Sequence, residues 1–362
     1  MKTLEEARLE YRSHSIHWGF KWALFCACFW GLWYVPGSAI WFEAPYVSMA
    51  FEEPGELLVA AAIITTLNAI TVLISLFVWN VVQHKMGEYR RTFRQMKKLS
   101  KWFFLAAIFG GPCAIFGSFM AIAFVGGVFA AVAALLYPIV GATLAKLWYK
   151  EKITTRAALG IFVMVIGGIT VFAPGIIEEI TGASGGSSVW LGYLGGAMAA
   201  IGWGIEGAVA GRALDVTDPD VGISIRFTAE VLYWCVLILP GIIIFTDYPV
   251  LQIIADTMNF WGIVWLMLAG FTFGYSYVCW YKSFPLIGVG RGQAVASLYG
   301  VFAVVFLAIF TLDLPEWNFV VGLVLAVGGG FIMFTEDGSK IEVIRDIGTS
   351  SHIDNEGHLE RN

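Results

Sequence analysis

The chain has 362 residues, of which 58% are hydrophobic and only 14% charged, with a formal net charge of −5. That is too apolar for a soluble domain of this length, and it fits a polytopic membrane protein. The five cysteines, Cys26, Cys28, Cys113, Cys235 and Cys279, fall in apolar stretches without Cys-x-x-Cys spacing, and the five histidines form no ligand cluster. No metal site and no cofactor is expected.

A polar N-terminal segment, residues 1–17, precedes an apolar run that is too long for a signal-peptide core and lacks a clear cleavage site. Ten segments reach the length of roughly 20 apolar residues that a membrane helix needs. They are 18–41, 56–80, 102–122, 127–148, 157–177, 189–211, 222–246, 260–283, 289–311 and 317–335. A polar tail, 336–362, reads as a flexible cytoplasmic extension.

Two stretches repeat one another. The run from Ala134 to Gly168 aligns without a gap with the run from Ala296 to Gly330, at an offset of 162 residues. The alignment superposes Tyr137 on Tyr299, Pro138 on Gly300, Glu151 on Asp313, Gly160 on Gly322 and Gly167 on Gly329. The expected architecture is therefore all-α, with about ten membrane helices in two five-helix repeats, 18–177 and 189–335. An odd number of crossings per repeat makes the second copy enter from the opposite side, so the repeats should be inverted.

Charge distribution gives an independent reading. Lys85, Arg90, Arg91, Arg94, Lys97, Lys98 and Lys101 crowd the connection after the second segment, which assigns it to the cytoplasm. Counting from it, the remaining Lys and Arg clusters fall on the same side. The opposite loops carry Glu43, Glu52, Glu53, Glu178, Glu179, Asp247, Asp256, Asp313 and Glu316. Both termini are then cytoplasmic, in a multi-pass protein of the cytoplasmic (inner) membrane. The basic connection reads as a topology signal, and nucleic-acid binding is not indicated.

Leu136-Tyr137-Pro138, then Glu151-Lys152-Ile153-Thr154, then Gly160 with Gly167-Gly168 resemble the Leu-x-Pro, Glu-x-hydrophobic-Thr and Gly-x6-Gly pattern of the drug/metabolite transporter superfamily, EamA type. The second copy departs from it where Gly300 and Asp313 replace the proline and the glutamate. Trp30-Gly31 and Trp203-Gly204 add a weaker echo. The resemblance covers residues 18–335 and implies a ten-helix carrier for a small organic metabolite such as an amino acid, amine or sugar.

Several residues are singled out as a candidate site. Pro138 and Gly300 are weak points in equivalent segments and candidate hinges. Tyr137 and Tyr299 precede them, and Trp30 and Trp203 are candidates for the same cavity. In the eighth segment Tyr275 and Tyr277 are expected to face the cavity, with Trp280 and Tyr281 approaching the interfacial belt. Glu206, Arg226 and Glu230 are ionisable residues inside spans, where charge is costly and marks function. Arg226 and Glu230 are four apart and able to pair, which leaves Glu206 as the expected free, titratable group for a proton or a monovalent cation.

Together these residues predict a secondary transporter working by alternating access, as a monomer or homodimer in the lipid bilayer, and not an enzyme. The alternative is a membrane-embedded enzyme acting on a lipid-linked or small apolar substrate. It would need a nucleophile with a base, or a metal cluster, inside the spans.

Overall fold

The computed structural model describes residues 4–49, 53–149, 154–181 and 188–334. Glu151, Lys152, Ile153 and the tail 336–362, all used in the sequence reading, lie outside these residues. Among the described residues the structure is helical throughout, without strands.

Helix α1 (Leu4–Ala39) carries the polar N-terminal segment into the first apolar run without a break, so residues 4–17 are part of that helix. Helix α2 (Pro54–Val82) opens on a proline, whose missing N–H costs nothing in a first turn. The basic connection forms α3 (Met86–Gln95) and leads into α4 (Lys97–Ile108). From α4 the chain passes through a π-helical stretch, Phe109–Ile115, into α5 (Phe116–Phe124). Pro112 explains the π stretch, because it cannot donate to the Ile108 carbonyl and its ring crowds that oxygen.

Next come α6 (Gly127–Ala134) and α7 (Tyr137–Tyr149), two halves of what the sequence reads as one span. The break has the same kind of cause: Pro138 has no N–H for the Ala134 carbonyl, and α6 stops at Ala134. Pro138 thereby falls in the first turn of α7, and the discontinuity lies at Leu135–Leu136. Helices α8 (Thr155–Thr181) and α9 (Val189–Leu214) follow.

Asp218 caps α10 (Pro219–Leu232), its carboxylate accepting from the Asp220 and Val221 N–H groups. A second π stretch, Tyr233–Ile238, joins α10 to α11 (Leu239–Phe245). After α12 (Val250–Thr257) comes α13 (Phe260–Ile287), capped by Asn259. The chain ends in α14 (Val289–Ala296), α15 (Tyr299–Thr311) and α16 (Trp317–Phe334).

Seven helical segments are long and apolar enough to cross a membrane, at 14–42, 54–82, 97–124, 127–148, 219–245, 260–287 and 289–311, and two shorter apolar ones lie at 158–171 and 317–332. The chain is an all-α polytopic membrane protein. Its apolar side chains are arranged accordingly, with Val78, Val82, Ile244, Phe245, Phe260 and Val324 among those exposed on the outside. Inside lie small residues, aromatic rings and polar groups, including Asn68, Asn80, Ser224 and Gln293.

The 162-residue offset recurs in the fold. Helices α14 and α15 begin and end at positions equivalent to those of α6 and α7, and Trp317, which opens α16, is equivalent to Thr155, which opens α8. Gly126 and Gly288, also equivalent, both turn the chain at positive φ, 117° and 83°, where a side chain would be strained.

Helices α8 and α16 meet through their glycines. A Cβ on Gly167 would lie 2.8 Å from the Gly322 carbonyl oxygen, and one on Gly329 would collide with the Gly160 carbonyl. Numbers rise along one helix as they fall along the other, so the pair is antiparallel, and each glycine of the first motif meets the opposite glycine of the second. Gly329→Val is therefore expected to destabilise the protein by about 1–3 kcal/mol, read as a lower Tm in detergent, whereas Gly328→Ala, which adds its methyl to open space within the helix, does not lower Tm. An unchanged Tm for Gly329→Val would mean that the two backbones do not depend on this close approach.

Candidate functional site

At the centre of the molecule the Trp30 ring of α1 is enclosed by aromatic neighbours from four other helices. Its centroid lies 5.7 Å from Tyr137, 4.8 Å from Trp203, 5.7 Å from Tyr277, 5.4 Å from Trp280 and 5.0 Å from Tyr299. Tyr277 and Tyr299 stack with it, and Trp203 and Trp280 meet it edge-on, the arrangements that ring quadrupoles favour. All six rings have 0% exposure. The sequence predicted that Tyr137, Pro138, Tyr299 and Gly300 border a central cavity, with the rings of Trp30 and Trp203 near those of the two tyrosines. The structure brings the four rings together and fills the space with them.

Two hydrogen bonds tie this centre to the repeated helices. Tyr137 Oη donates to the Gln293 carbonyl at 2.7 Å, and Tyr299 Oη donates to the Ala131 carbonyl at 2.9 Å. Each residue of the second bond is equivalent, at the offset of 162, to one of the first. Gly300 sits where a Cβ would press on the Leu135 side chain, so its smallness lets α15 approach the end of α6.

Beside the aromatic centre lies a fully buried ionic cluster. Arg226 Nε donates to Glu206 Oε1 at 2.6 Å, and Nη1 makes a short contact with Glu230 Oε2. Tyr277 Oη donates to Glu206 Oε2 at 2.9 Å and Tyr281 Oη to Oε1 at 3.1 Å. The Trp203 indole N–H donates to Tyr277 Oη at 2.7 Å, which links the cluster to the rings around Trp30. The guanidinium also lies 4.1 Å from the Phe227 centroid and 4.9 Å from that of Tyr277, a further stabilisation of a buried cation.

This corrects the expectation that Glu206 is free. Arg226 does pair with Glu230 one turn on, and its Nε reaches Glu206 on α9 as well. Room for the cluster comes from the π stretch, since a Cβ on Gly110 would collide with Arg226 Nη2 and Glu206 Oε2, and one on Gly111 would lie 2.6 Å from the Glu230 carboxyl carbon. Neither glycine was singled out in the sequence. The signal available was Gly110-Gly111-Pro112 inside an apolar span, a helix-disrupting group in a place where membrane proteins put π-bulges.

The eighth segment is also reassigned. Tyr277, Trp280 and Tyr281 all face the interior, whereas Tyr275 is only half-buried and packs against Phe29 and Trp79 at the side of the bundle. Helical spacing accounts for it: Phe273, Tyr277, Trp280, Tyr281 and Phe284 share one stripe of α13, and Tyr275 stands off it. Gln293 is a further buried residue that sequence reasoning passed over. Its Nε2 lies 3.5 Å from the Trp203 and Gly204 carbonyls.

Polar contacts join the bundle at the two ends of α13. Near its C-terminal end, Lys85 Nζ meets Asp218 Oδ2 at 2.6 Å and Asp220 Oδ2 at 2.5 Å, and Lys282 Nζ meets Asp220 Oδ1 at 3.1 Å. Burial opposes the Lys85 charge, but the two aspartates outweigh it and hold its pKa above the ordinary lysine value. The contribution of this contact is thus complete below the unfolded lysine pKa of about 10.4 and fades only as pH rises past the raised folded value. Near the N-terminal end of α13, Trp265 Nε1 donates to Glu43 Oε1 at 3.0 Å, Asn259 donates to the Ala44 carbonyl at 2.8 Å, and Thr257 Oγ1 lies 2.9 Å from Tyr46 Oη.

No protein-family model matches the chain, and no curated protein matches it. A solved structure described only as "Crystal structure of protein" aligns over 86% of this chain and 96% of its own, with a TM-score of 0.52 and 16% sequence identity. That likeness shows a shared fold alone.

Arg226→Met would leave two buried carboxylates without their cation, which costs about 3–5 kcal/mol. The expected result is a severe loss of folded protein in size-exclusion profiles and Tm. A variant as stable as the parent would mean that the carboxylates are solvated or neutral in the folded protein.

Proposed function

We propose that the chain is a secondary transporter of the drug/metabolite transporter superfamily, EamA type, which moves a small organic metabolite across the cytoplasmic membrane by alternating access. The observation that carries this reading is the reciprocal pair of bonds, Tyr137 to the Gln293 carbonyl and Tyr299 to the Ala131 carbonyl. Contacts in which i meets j and the equivalent of j meets the equivalent of i are the mark of a two-fold interface. With the antiparallel glycine crossing of α8 and α16, they support two inverted repeats whose ten spans add α8, α9 and α16 to the seven long ones. In such folds the substrate site lies where the repeats meet, near the membrane midplane.

Trp30, Tyr137, Trp203, Tyr277 and Tyr299 form that site in this reading. Their flat faces suit an apolar or cationic solute, and the Trp30 indole N–H, buried without a partner among the described residues, is a donor for the solute's polar group. Polar contacts at both ends of α13 and closed rings between them correspond to an occluded state. Opening one end at a time, with flexing at Leu135–Leu136 and Ser297–Leu298, would expose the rings first to one side and then to the other. In this reading the Lys85 contact and both termini are cytoplasmic, a reading supported by the Lys- and Arg-rich connections.

Purified protein in liposomes should exchange at least one member of a panel of radiolabelled amino acids, amines and sugars. Tyr137→Phe combined with Tyr299→Phe should remain folded and slow that exchange about tenfold or more, because two buried hydrogen bonds of about 1 kcal/mol each are lost from the occluded state. Exchange of no panel member would count against the assignment, and unchanged exchange in the double variant would remove the tyrosines from the mechanism. Single cysteines at Glu88 and Asp313, in a background lacking the five native cysteines, should react with an impermeant maleimide from opposite faces. Labelling from one face would refute the inverted arrangement.

A further inference from the structure

The ionic cluster is unbalanced. It holds two carboxylates, Glu206 and Glu230, and one guanidinium, Arg226, all with 0% exposure. With every group ionised, one negative charge would be buried without compensation, and such a group neutralises by taking a proton.

Among the described residues, Arg226 is the cation paired with both carboxylates, and the nearby basic groups are engaged or exposed elsewhere. On α9, Arg212 lies over the Trp102 ring, 4.9 Å from its centroid. On α13, the facing groups are Tyr277 and Tyr281, and Lys282 is engaged with Asp220. Asp220 itself lies ten residues before Glu230 on α10, about 15 Å along the helix. Arg90, Arg91 and Arg94 on α3, and Lys97, Lys98 and Lys101 on α4, are exposed. The π stretch that covers the cluster brings Gly110 and Gly111 against it.

The two carboxylates are not equivalent. Glu206 accepts on both oxygens, from Arg226 and Tyr281 on Oε1 and from Tyr277 on Oε2, and three donors favour its ionised form. Among the described residues Glu230 accepts from Arg226 alone, on Oε2. Its Oε1 is buried with no hydrogen-bond partner among the described residues, and so is the Trp234 indole N–H one turn on.

We propose that the Glu206–Arg226–Glu230 cluster holds one exchangeable proton at neutral pH and that Glu230 carries it. This goes beyond the transporter reading, on which only the use of the proton rests. The chain from Glu206 through Tyr277 to Trp203 connects the cluster to the rings around Trp30. Parting of those rings would loosen the donors on Glu206, readjust Arg226 between the two carboxylates, and release the Glu230 proton to water. Solute movement would thereby be coupled to a proton.

Infrared spectroscopy of the intact protein in nanodiscs tests the assignment without any transport assay. At neutral pH the spectrum should contain the C=O stretch of a buried protonated carboxylic acid. Glu230→Gln should remove it, and so should Glu206→Gln, because one carboxylate then balances Arg226 and no proton is required. Where the proton resides is read from two conservative variants that keep the triad intact. Trp234→Phe should shift the band and Tyr281→Phe should leave it in place. The proposal is overturned by a spectrum without this band, by a band that survives both glutamine variants together, or by one that moves with Tyr281→Phe and not with Trp234→Phe. Absence of exchange in liposomes with the band present would instead sink the transporter reading and leave the proton site standing.

Discussion

Burial of the Arg226 guanidinium is the constraint around which the interior is organised. A buried charge is tolerated only when it is paired and its donors find acceptors, and here the acceptors for Arg226 come from several helices. Glu206 comes from α9, Glu230 from α10 itself, and Tyr277 from α13, with Tyr281 completing the shell of Glu206. The helix that closes over the cluster has to come so near that no side chain fits at Gly110 or Gly111. A regular helix carrying a proline would kink there, and the π stretch accommodates Pro112 while keeping the two glycines against the carboxylates.

From that cluster the order of the site extends along α13. Its inward stripe supplies Phe273, Tyr277, Trp280 and Tyr281 to the centre, and its two ends are fixed by different chemistry. At one end the contacts are ion pairs around Asp220, which accepts from Trp79 Nε1 as well as from two lysines. At the other they are mainly hydrogen bonds to the segment after α1, from Asn259 and Trp265. Ion pairs respond to salt and to the dielectric around them, whereas hydrogen bonds from uncharged donors such as Asn259 and Trp265 do so more weakly. Under the proposed alternating access, the two ends would therefore open under different influences.

Part of this was legible in the residues. Long apolar segments specify membrane helices because the bilayer leaves the backbone no other partner. The recurrence of Tyr137 at Tyr299 and of Gly160 and Gly167 at Gly322 and Gly329 marked the helices that meet in reciprocal fashion. Intramembrane Glu206, Arg226 and Glu230 were identifiable by their cost alone. Pro138 marked the interruption of its span, although the break falls one turn earlier, because the lost hydrogen bond is the one to the carbonyl four residues before.

The sequence by itself determined the helical, membrane-spanning class, the recurrence at an offset of 162 residues and three of the buried charged residues, Glu206, Arg226 and Glu230, since each follows from composition or from spacing along the chain. Tertiary structure alone decided the partners: that Arg226 reaches Glu206 as well as Glu230, that Trp280 and Tyr281 turn inward and Tyr275 does not, and that Tyr137 bonds a carbonyl 156 residues away. Those contacts depend on the rotation of each helix about its axis and on how closely neighbouring backbones approach. Both are set by small residues and local departures from α geometry acting between helices, and neither is encoded in the hydropathy of any single segment.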